Sequence, residues 1–554
     1  MIWYNKPLIT QVLIVLVASL LFIPFLGQVP LFDWDEINFA ESAREMIVSG
    51  DYLTVQINFQ PFWEKPPLFI WMQVLSMKIF GINEFAARFP NAVCGIISLL
   101  VLFSIGKRVY SERFGLLWVL VYAGSILPHF YFKSGIIDPW FNLFIFLGIY
   151  FFILFTDKHQ KGKNMARVSL SALFIGLAIL TKGPVAFLIF VLCFLVFWVI
   201  NRFRLKVKFS EVFVYAIVLI LTGGFWFILQ IMNGNFDVVI DFIQYQIRLF
   251  NTKDAGHGGF AGYHVVVLFF GVFPASVIAL KGFIRKKDDS ISQIHFKKWM
   301  LILFWVVLIL FSIVRTKIVH YSSLCYFPLS FLATYMIYKL IKKKTRWLYG
   351  VMNPLILFTA LIISFITAGI GLIERYKERI IDSGWINDPF AIASLNADVN
   401  WGGYEFILGI FLFTGVVISM FLFRHKYRRT GFVLIFIVGM IYTNLTILLL
   451  VPKIEQYSQH ASIEFYENIR DEDCYIETLG FKSYAHLFYT RKKIPENKRS
   501  YEKHWLLTGR IDKTAYFITK IQKAEKYENK YPVLIKLYEK NGFVFYKREP
   551  EKKE

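Results

Sequence analysis

The sequence predicts a polytopic α-helical membrane protein, with about thirteen transmembrane helices and a small C-terminal α/β domain outside the cytoplasm. Three observations carry that reading. Hydrophobic residues make up 56% of the 554, and mean hydropathy is +0.51, which is more apolar than a soluble chain of this length. Apolar runs able to cross a hydrocarbon core of about 30 Å as single helices recur along most of the chain. The segment after residue 452 is, by contrast, polar and of mixed charge.

By length and hydropathy the runs fall at roughly 8–28, 86–106, 113–130, 135–156, 167–181, 184–201, 212–232, 263–283, 299–314, 321–341, 347–372, 404–423 and 431–452. With a cytoplasmic N-terminus, every strongly basic loop lands inside: Lys107, Arg108 and Arg113, then Lys158 to Arg167, RFRLKVK at 202–208, RKK at 285–287, KKKTR at 342–346 and RHKYRR at 424–429. The opposite orientation puts them all outside, so the positive-inside rule decides. The net charge of +22 is thereby a topology signal, and nucleic-acid binding is excluded. The four cysteines form no disulfide framework or metal spacing. The first run lacks a small-residue cleavage site and reads as a retained helix.

The first 452 residues form the membrane domain, with outer loops at 29–85 and 233–262, and 453–554 form the extracytoplasmic domain. In that tail, runs on either side of Asn541-Gly542 read as a β-hairpin, and YFITKI at 516–521 as a further strand. The outer loops hold isolated acids, histidines and single basic residues, so any chemistry faces outward.

The first outer loop opens with FDWDEINFAESAREM at 32–46. Its structural reading is an amphipathic helix with Asp33 as N-cap and Glu36 at N3, close to a capping box. Acids also suit a helix N-terminus. That leaves Asp35 without a structural role and makes it a catalytic candidate, with Glu36 beside it. Further on, PFWEKPPLFIW at 61–71 places Glu64-Lys65 before a proline pair that stiffens the backbone under Lys65. A lysine at a bilayer surface ordinarily snorkels, but one fixed at the interface also suits a lipid phosphate. Other outward candidates are Arg248, His257, Lys317, His320 and Tyr321. Asp138 reads as a helix start next to Pro139.

The order and spacing of these motifs resemble the membrane glycosyltransferases of GT-C type that include the aminoarabinose transferase of lipid A and the protein O-mannosyltransferases. The family's motif after the first span is matched by Asp35, Glu36, Phe39, Ala40, Glu41, Ala43, Arg44, Glu45 and Met46. Its bacterial branch is matched by Gly50-Asp51-Tyr52, by Trp63-Glu64-Lys65-Pro66-Pro67, and by Phe80, Gly81, Glu84 and Arg88. Asp138, Lys182-Gly183-Pro184, the segment 244–263, and Thr316, Lys317 and Tyr321 also match. The chain departs at Tyr245-Gln246, where the aminoarabinose enzymes carry Glu-His, and at Val319, where they carry proline.

The resemblance implies transfer of a sugar from a polyprenyl phosphate to a hydroxyl or phosphate of a cell-envelope acceptor, with inversion. It implies Asp35 and Glu36 as catalytic residues and Lys65, Arg248, Tyr321 and Lys317 as phosphate ligands. Arg44, Glu64, Asp138, His257 and His320 support them. No cofactor is required, and Glu64 with His257 is where a divalent cation would be an option. The expected setting is a bacterial inner membrane, with the site on the periplasmic side and membrane lipid around it. The alternative within the family is a protein O-mannosyltransferase. The alternative outside it is a lipid-linked sugar flippase, which would carry ionisable groups at mid-membrane and paired halves.

Overall fold

The computed structural model describes residues 7–551 except 63, 158–163, 206, 252–257, 285–288, 425–426 and 471. Each of the thirteen expected runs holds a helix. Seven are long and apolar enough to span alone: Glu84–Val109, Asp138–Thr156, Asn164–Lys182, Ile291–Ile313, Val319–Ile341, Tyr349–Gly371 and Arg428–Ser458. Three runs are helix pairs, bent by 84° between Glu112–Ala123 and Ile126–Lys133, by 60° between Phe209–Gly223 and Phe225–Met232, and by 108° between Tyr263–Gly271 and Ala275–Phe283. The remaining three hold the shorter apolar helices Leu8–Phe22, Val185–Ile200 and Ile407–Phe423.

Two of the bends fall at a glycine or a proline. At Gly124 a Cβ would strike the backbone of Phe436, so only glycine lets the last span cross there. At Pro274 the missing N–H interrupts the ladder. The last span was expected to stop at 452 but continues as one helical stretch to Ser458, which carries the chain toward the tail domain.

The tail is a four-stranded sheet with helices. The structure has a two-residue hairpin in the first outer loop, β1 (Gln56–Ile57) and β2 (Gln60–Pro61), and the tail strands β3 (Tyr475–Leu479), β4 (Ala515–Lys520), β5 (Ile535–Lys540) and β6 (Phe543–Arg548). The tail order is β3-β4-β6-β5, with β3 and β4 parallel and the other pairs antiparallel. The expected hairpin is β5 and β6. Asn541 and Gly542 both take positive φ, 50° and 80°, the geometry a two-residue turn between right-twisted strands requires.

The first outer loop is clamped between membrane helices and tail. Its helix Asp35–Ser49 is buried on nearly every side, because Leu31, Ile37, Ala40 and Ala43 share one apolar cluster with Ile463, Phe465 and Phe545 of the tail. Tyr489 Oη accepts from Leu31 N at 2.7 Å, and Gln459 Nε2 donates to Leu31 O at 2.8 Å. The expected capping box does not form. Trp34 is the N-cap, without a side-chain bond, and Asp35 is the first helical residue.

Candidate active site

The N-terminus of Asp138–Thr156 and the C-terminus of Asn164–Lys182 come together at one end of an antiparallel helix pair. Each terminal charge suits the dipole of its own helix, and Lys182 Nζ lies 2.7 Å from Asp138 Oδ1. Gly183, at φ 102°, turns the chain there, in a conformation a side chain rarely adopts. The helix Asp35–Ser49 points its first residue at the same spot. Between the two carboxylates stands His320, with Nε2 3.4 Å from Asp35 Oδ2 and 3.8 Å from Asp138 Oδ2. Its backbone carbonyl accepts from Ser323 Oγ, and Asn142 Nδ2 in turn donates to Ser323 Oγ at 2.7 Å.

These groups line a cavity of about 680 Å³ with Lys65, Tyr321, Trp34 and Gln246 on its walls. Phe39, Phe141, Val185, Leu188, Leu310 and Phe311 give the rest of the lining an apolar character. Lys65 Nζ stands 5.4 Å from the centre of the Tyr245 ring, and Lys182 Nζ stands 5.2 Å from that of Tyr321. Burial pushes the Lys65 ammonium below the ordinary lysine range, opposed by the carboxylates of Glu64, Asp35 and Asp138. The arrangement sets one carboxylate beside a second, ion-paired carboxylate and two ammonium groups, at the mouth of an apolar chamber.

Of the residues the sequence pointed to, the structure brings Asp35, Lys65, Asp138, His320 and Tyr321 together. It places the others elsewhere. Glu36, expected beside Asp35 as a catalytic group, is buried and fully engaged. Its carboxylate pairs with Arg88 at 2.7 Å and accepts from Phe32 N at 2.9 Å and from Gly135 N. Burial raises its pKa and Arg88 more than cancels that, leaving it below the carboxylate range. Arg88 also donates to the carbonyls of Leu26, Val29 and Pro30. Glu36 therefore fastens the first loop to the second span and touches no reacting group.

Lys317, expected on the donor phosphate, instead donates to the carbonyls of Phe311, Ser312 and Val314 at 2.9, 2.7 and 2.6 Å, closing the end of Ile291–Ile313. Arg248 and Glu64 lie in a neighbouring pocket of about 480 Å³ with Phe62, Asp241 and Tyr245. The Arg248 guanidinium is 5.1 Å from the Tyr245 ring centre, so Arg248 and Lys65 meet the same aromatic residue from two cavities. Arg44 is buried and bonded twice to Glu41, at 2.7 and 2.6 Å. The adjacent Glu45 accepts from Asn58 N and Phe59 N at 2.6 and 2.7 Å, fixing the turn between β1 and β2. His257 lies outside the described residues, and among those described no group of three His, Cys, Asp or Glu side chains could hold a metal ion.

Residues 64–226 match the family model described as dolichyl-phosphate-mannose-protein mannosyltransferase. An undecaprenyl phosphate-alpha-4-amino-4-deoxy-L-arabinose arabinosyl transferase of Aeromonas hydrophila is 24% identical over 353 residues, covering 61% of this chain and 63% of its own. A protein of the same name from Pectobacterium carotovorum is 25% identical over 411 residues, 71% and 72% of the two chains. The chain thus spans less than two thirds of the first of these relatives. The structure of ArnT from Cupriavidus metallidurans bound to undecaprenyl phosphate decides the fold: it superposes with a TM-score of 0.73 over 98% of both chains at 16% identity. This chain has the fold of that transferase. The ArnT-like fold accounts for the placement of the tail sheet over the first outer loop as part of one architecture covering both chains.

Sequence reasoning left Lys182 and Gln246 out of the site. The signal for Lys182 was present, as a Lys-Gly-Pro turn closing an apolar run, but its meeting with Asp138 depends on how two spans pair. Gln246 stood in the sequence only as a departure from the family's Glu-His pair, and it reaches the cavity because Phe236–Asn251 packs against the Gly183 turn.

Proposed function

We propose that this protein is a membrane glycosyltransferase that moves a sugar from a polyprenyl phosphate to a hydroxyl or phosphate of a cell-envelope acceptor such as a lipid A-like glycolipid. The observation that carries the reading is the meeting of Asp35, Lys65 and Lys182 in a largely apolar cavity of about 680 Å³. With a hydroxyl acceptor, Asp35 removes the proton as the oxygen attacks the anomeric carbon from the face opposite the donor phosphate, which gives inversion; a phosphate acceptor attacks as an anion and needs no base. His320 holds the Asp35 carboxylate in place through a contact of 3.4 Å. The bond to the lipid phosphate breaks, and the charge that grows on the leaving oxygen is met by Lys65, with the Tyr321 hydroxyl beside it. Lys182 neutralises Asp138, so a second free anion does not repel the phosphate. The donor is already activated, so the reaction needs no nucleotide, and we assign it no cofactor.

The setting that fits is a bacterial inner membrane, with this cavity and the tail on the periplasmic side, because the basic loops lie at the other end of the spans. The names of the relatives support an undecaprenyl-linked donor. The matching mannosyltransferase model keeps transfer to protein hydroxyls as the second reading. Purified protein given undecaprenyl phosphate-linked sugars should release undecaprenyl phosphate only when an acceptor is present. Movement of intact donor across liposomes without release would replace the proposal with a flippase.

A further inference from the structure

Three helices that line the candidate active site run away from it to a second pocket. Asp138–Thr156, with 19 residues, covers about 28 Å at 1.5 Å per residue, roughly one hydrocarbon thickness. Val185–Ile200 starts at the active-site cavity and ends at Asn201, and Ile291–Ile313 starts at the second pocket and ends at Leu310 and Phe311 of the first. The second pocket, of about 410 Å³, is therefore at the opposite membrane face, the face of the basic loops.

Its walls combine two chemistries. Arg202 and Arg204 are exposed, and among the described residues neither pairs with a carboxylate. Lys298 Nζ reaches Asn201 Oδ1 at 3.0 Å, adding a third cation behind the wall. His295 Nε2 lies 3.0 Å from Thr156 Oγ1, and Asp157, the one carboxylate among the lining residues, is buried next to it. Ile200 and Ile291, also on the wall, are 52% and 65% exposed, and the adjoining Phe203 is 60% exposed. Exposed guanidinium groups beside exposed apolar side chains suit a boundary where acyl chains meet phosphates.

The backbone shows that Arg202 is not there for the turn. Phe203 N donates to Trp198 O at 2.9 Å and Arg202 N to Val199 O at 2.8 Å, a helix-closing turn that puts both Arg202 and Phe203, the latter at φ 59°, in the left-handed region. The φ of Arg202 is 54°, where glycine is favoured and an arginine is strained.

We propose that this pocket binds the phosphodiester of an anionic glycerophospholipid headgroup, in the leaflet opposite the active site. Arg202 and Arg204 contact the phosphate, and the acyl chains lie along Ile200, Phe203 and Ile291. The strain suggests the decisive variant. Arg202→Gly with Arg204→Gln removes both charges while relieving one of the two left-handed residues and leaving Phe203 in place, so the protein should fold at least as well as the parent. In detergent, full-length protein titrated with phosphatidylglycerol and followed by native mass spectrometry should lose affinity on the order of tenfold in this variant. Lys343→Gln with Arg346→Gln, which removes two charges elsewhere on the same face, should leave affinity unchanged, and phosphatidylcholine should bind more weakly to the parent. Equal affinity in parent and Arg202→Gly/Arg204→Gln protein, or an equal loss in the control, overturns the site. Displacement of phosphatidylglycerol by millimolar inorganic phosphate overturns the lipid as its source.

Discussion

Asp35 and Glu36 are adjacent and chemically alike, yet a helix turns their side chains about 100° apart. One carboxylate faces the cavity and the other faces Arg88. The sequence pointed to both as catalytic, because composition cannot say which side of a helix start a partner occupies. Lys65 was easier to read, since the proline pair after it fixes its backbone whatever packs around it. Lys317 misled for the opposite reason: three carbonyls at a helix end consume it, and helix ends are not marked in the chain. Two variants separate these roles. Lys65→Met should weaken undecaprenyl phosphate binding by about 2–3 kcal/mol, measured by titration with the lipid. Because burial lowers the Lys65 pKa, the parent should begin to lose this affinity at a more acidic pH than an exposed lysine would, as the ammonium deprotonates. Affinity unchanged by the substitution would make Lys65 an interfacial anchor. Glu36→Gln, which strands Arg88, should cost about 3 kcal/mol in stability while transfer per folded molecule is kept.

At the scale of elements, the helix Asp35–Ser49 is a mount for the site rather than a surface helix. An amphipathic pattern was visible in the sequence, but the burial of its other face was not, since that face meets a tail more than four hundred residues away. The β5–β6 hairpin was legible because Asn-Gly determines its own turn. The bends at Gly124 and Pro274 were not, because hydropathy measures the length of an apolar run and not its direction. The same helix carries a titration that can be tested. Glu45 is buried beside Glu41, and both effects raise its pKa well above the carboxylate range, against the backbone of Phe59 and the charge of Arg44. The folded state thus holds a proton that the unfolded chain releases near the ordinary glutamate pKa. That contribution is complete at acidic pH and is lost as pH rises through the folded value. Thermal unfolding of the parent should fall with rising pH across that window relative to Glu45→Gln, and parallel curves would contradict the assignment.

For the whole molecule, basic loops at one end and the site with its tail at the other make a statement about sidedness. A reporter fused after residue 458 should be active outside the cytoplasm, and one inserted at 342–346 should be active inside. The reverse would invert the account. The apolar runs and the tail were legible in the sequence because apolar length and polar composition are local properties, but among the described residues only seven helices, or ten with each bent pair as one span, are long and apolar enough to cross a membrane, against the thirteen expected. The cavity was not, since it is assembled from the ends of spans that lie far apart in the chain. The central claim is that Asp35 is the base of a sugar transfer to the cell envelope. It is tested most directly by mass spectrometry of lipid A, envelope glycans and secreted proteins from a deletion strain carrying either the parent or Asp35→Asn at equal membrane levels. The parent should restore a sugar-mass increment on one of these classes. Asp35→Asn should restore about a hundredth or less, the scale of a lost general base. Restoration by Asp35→Asn equal to that by the parent would contradict the claim.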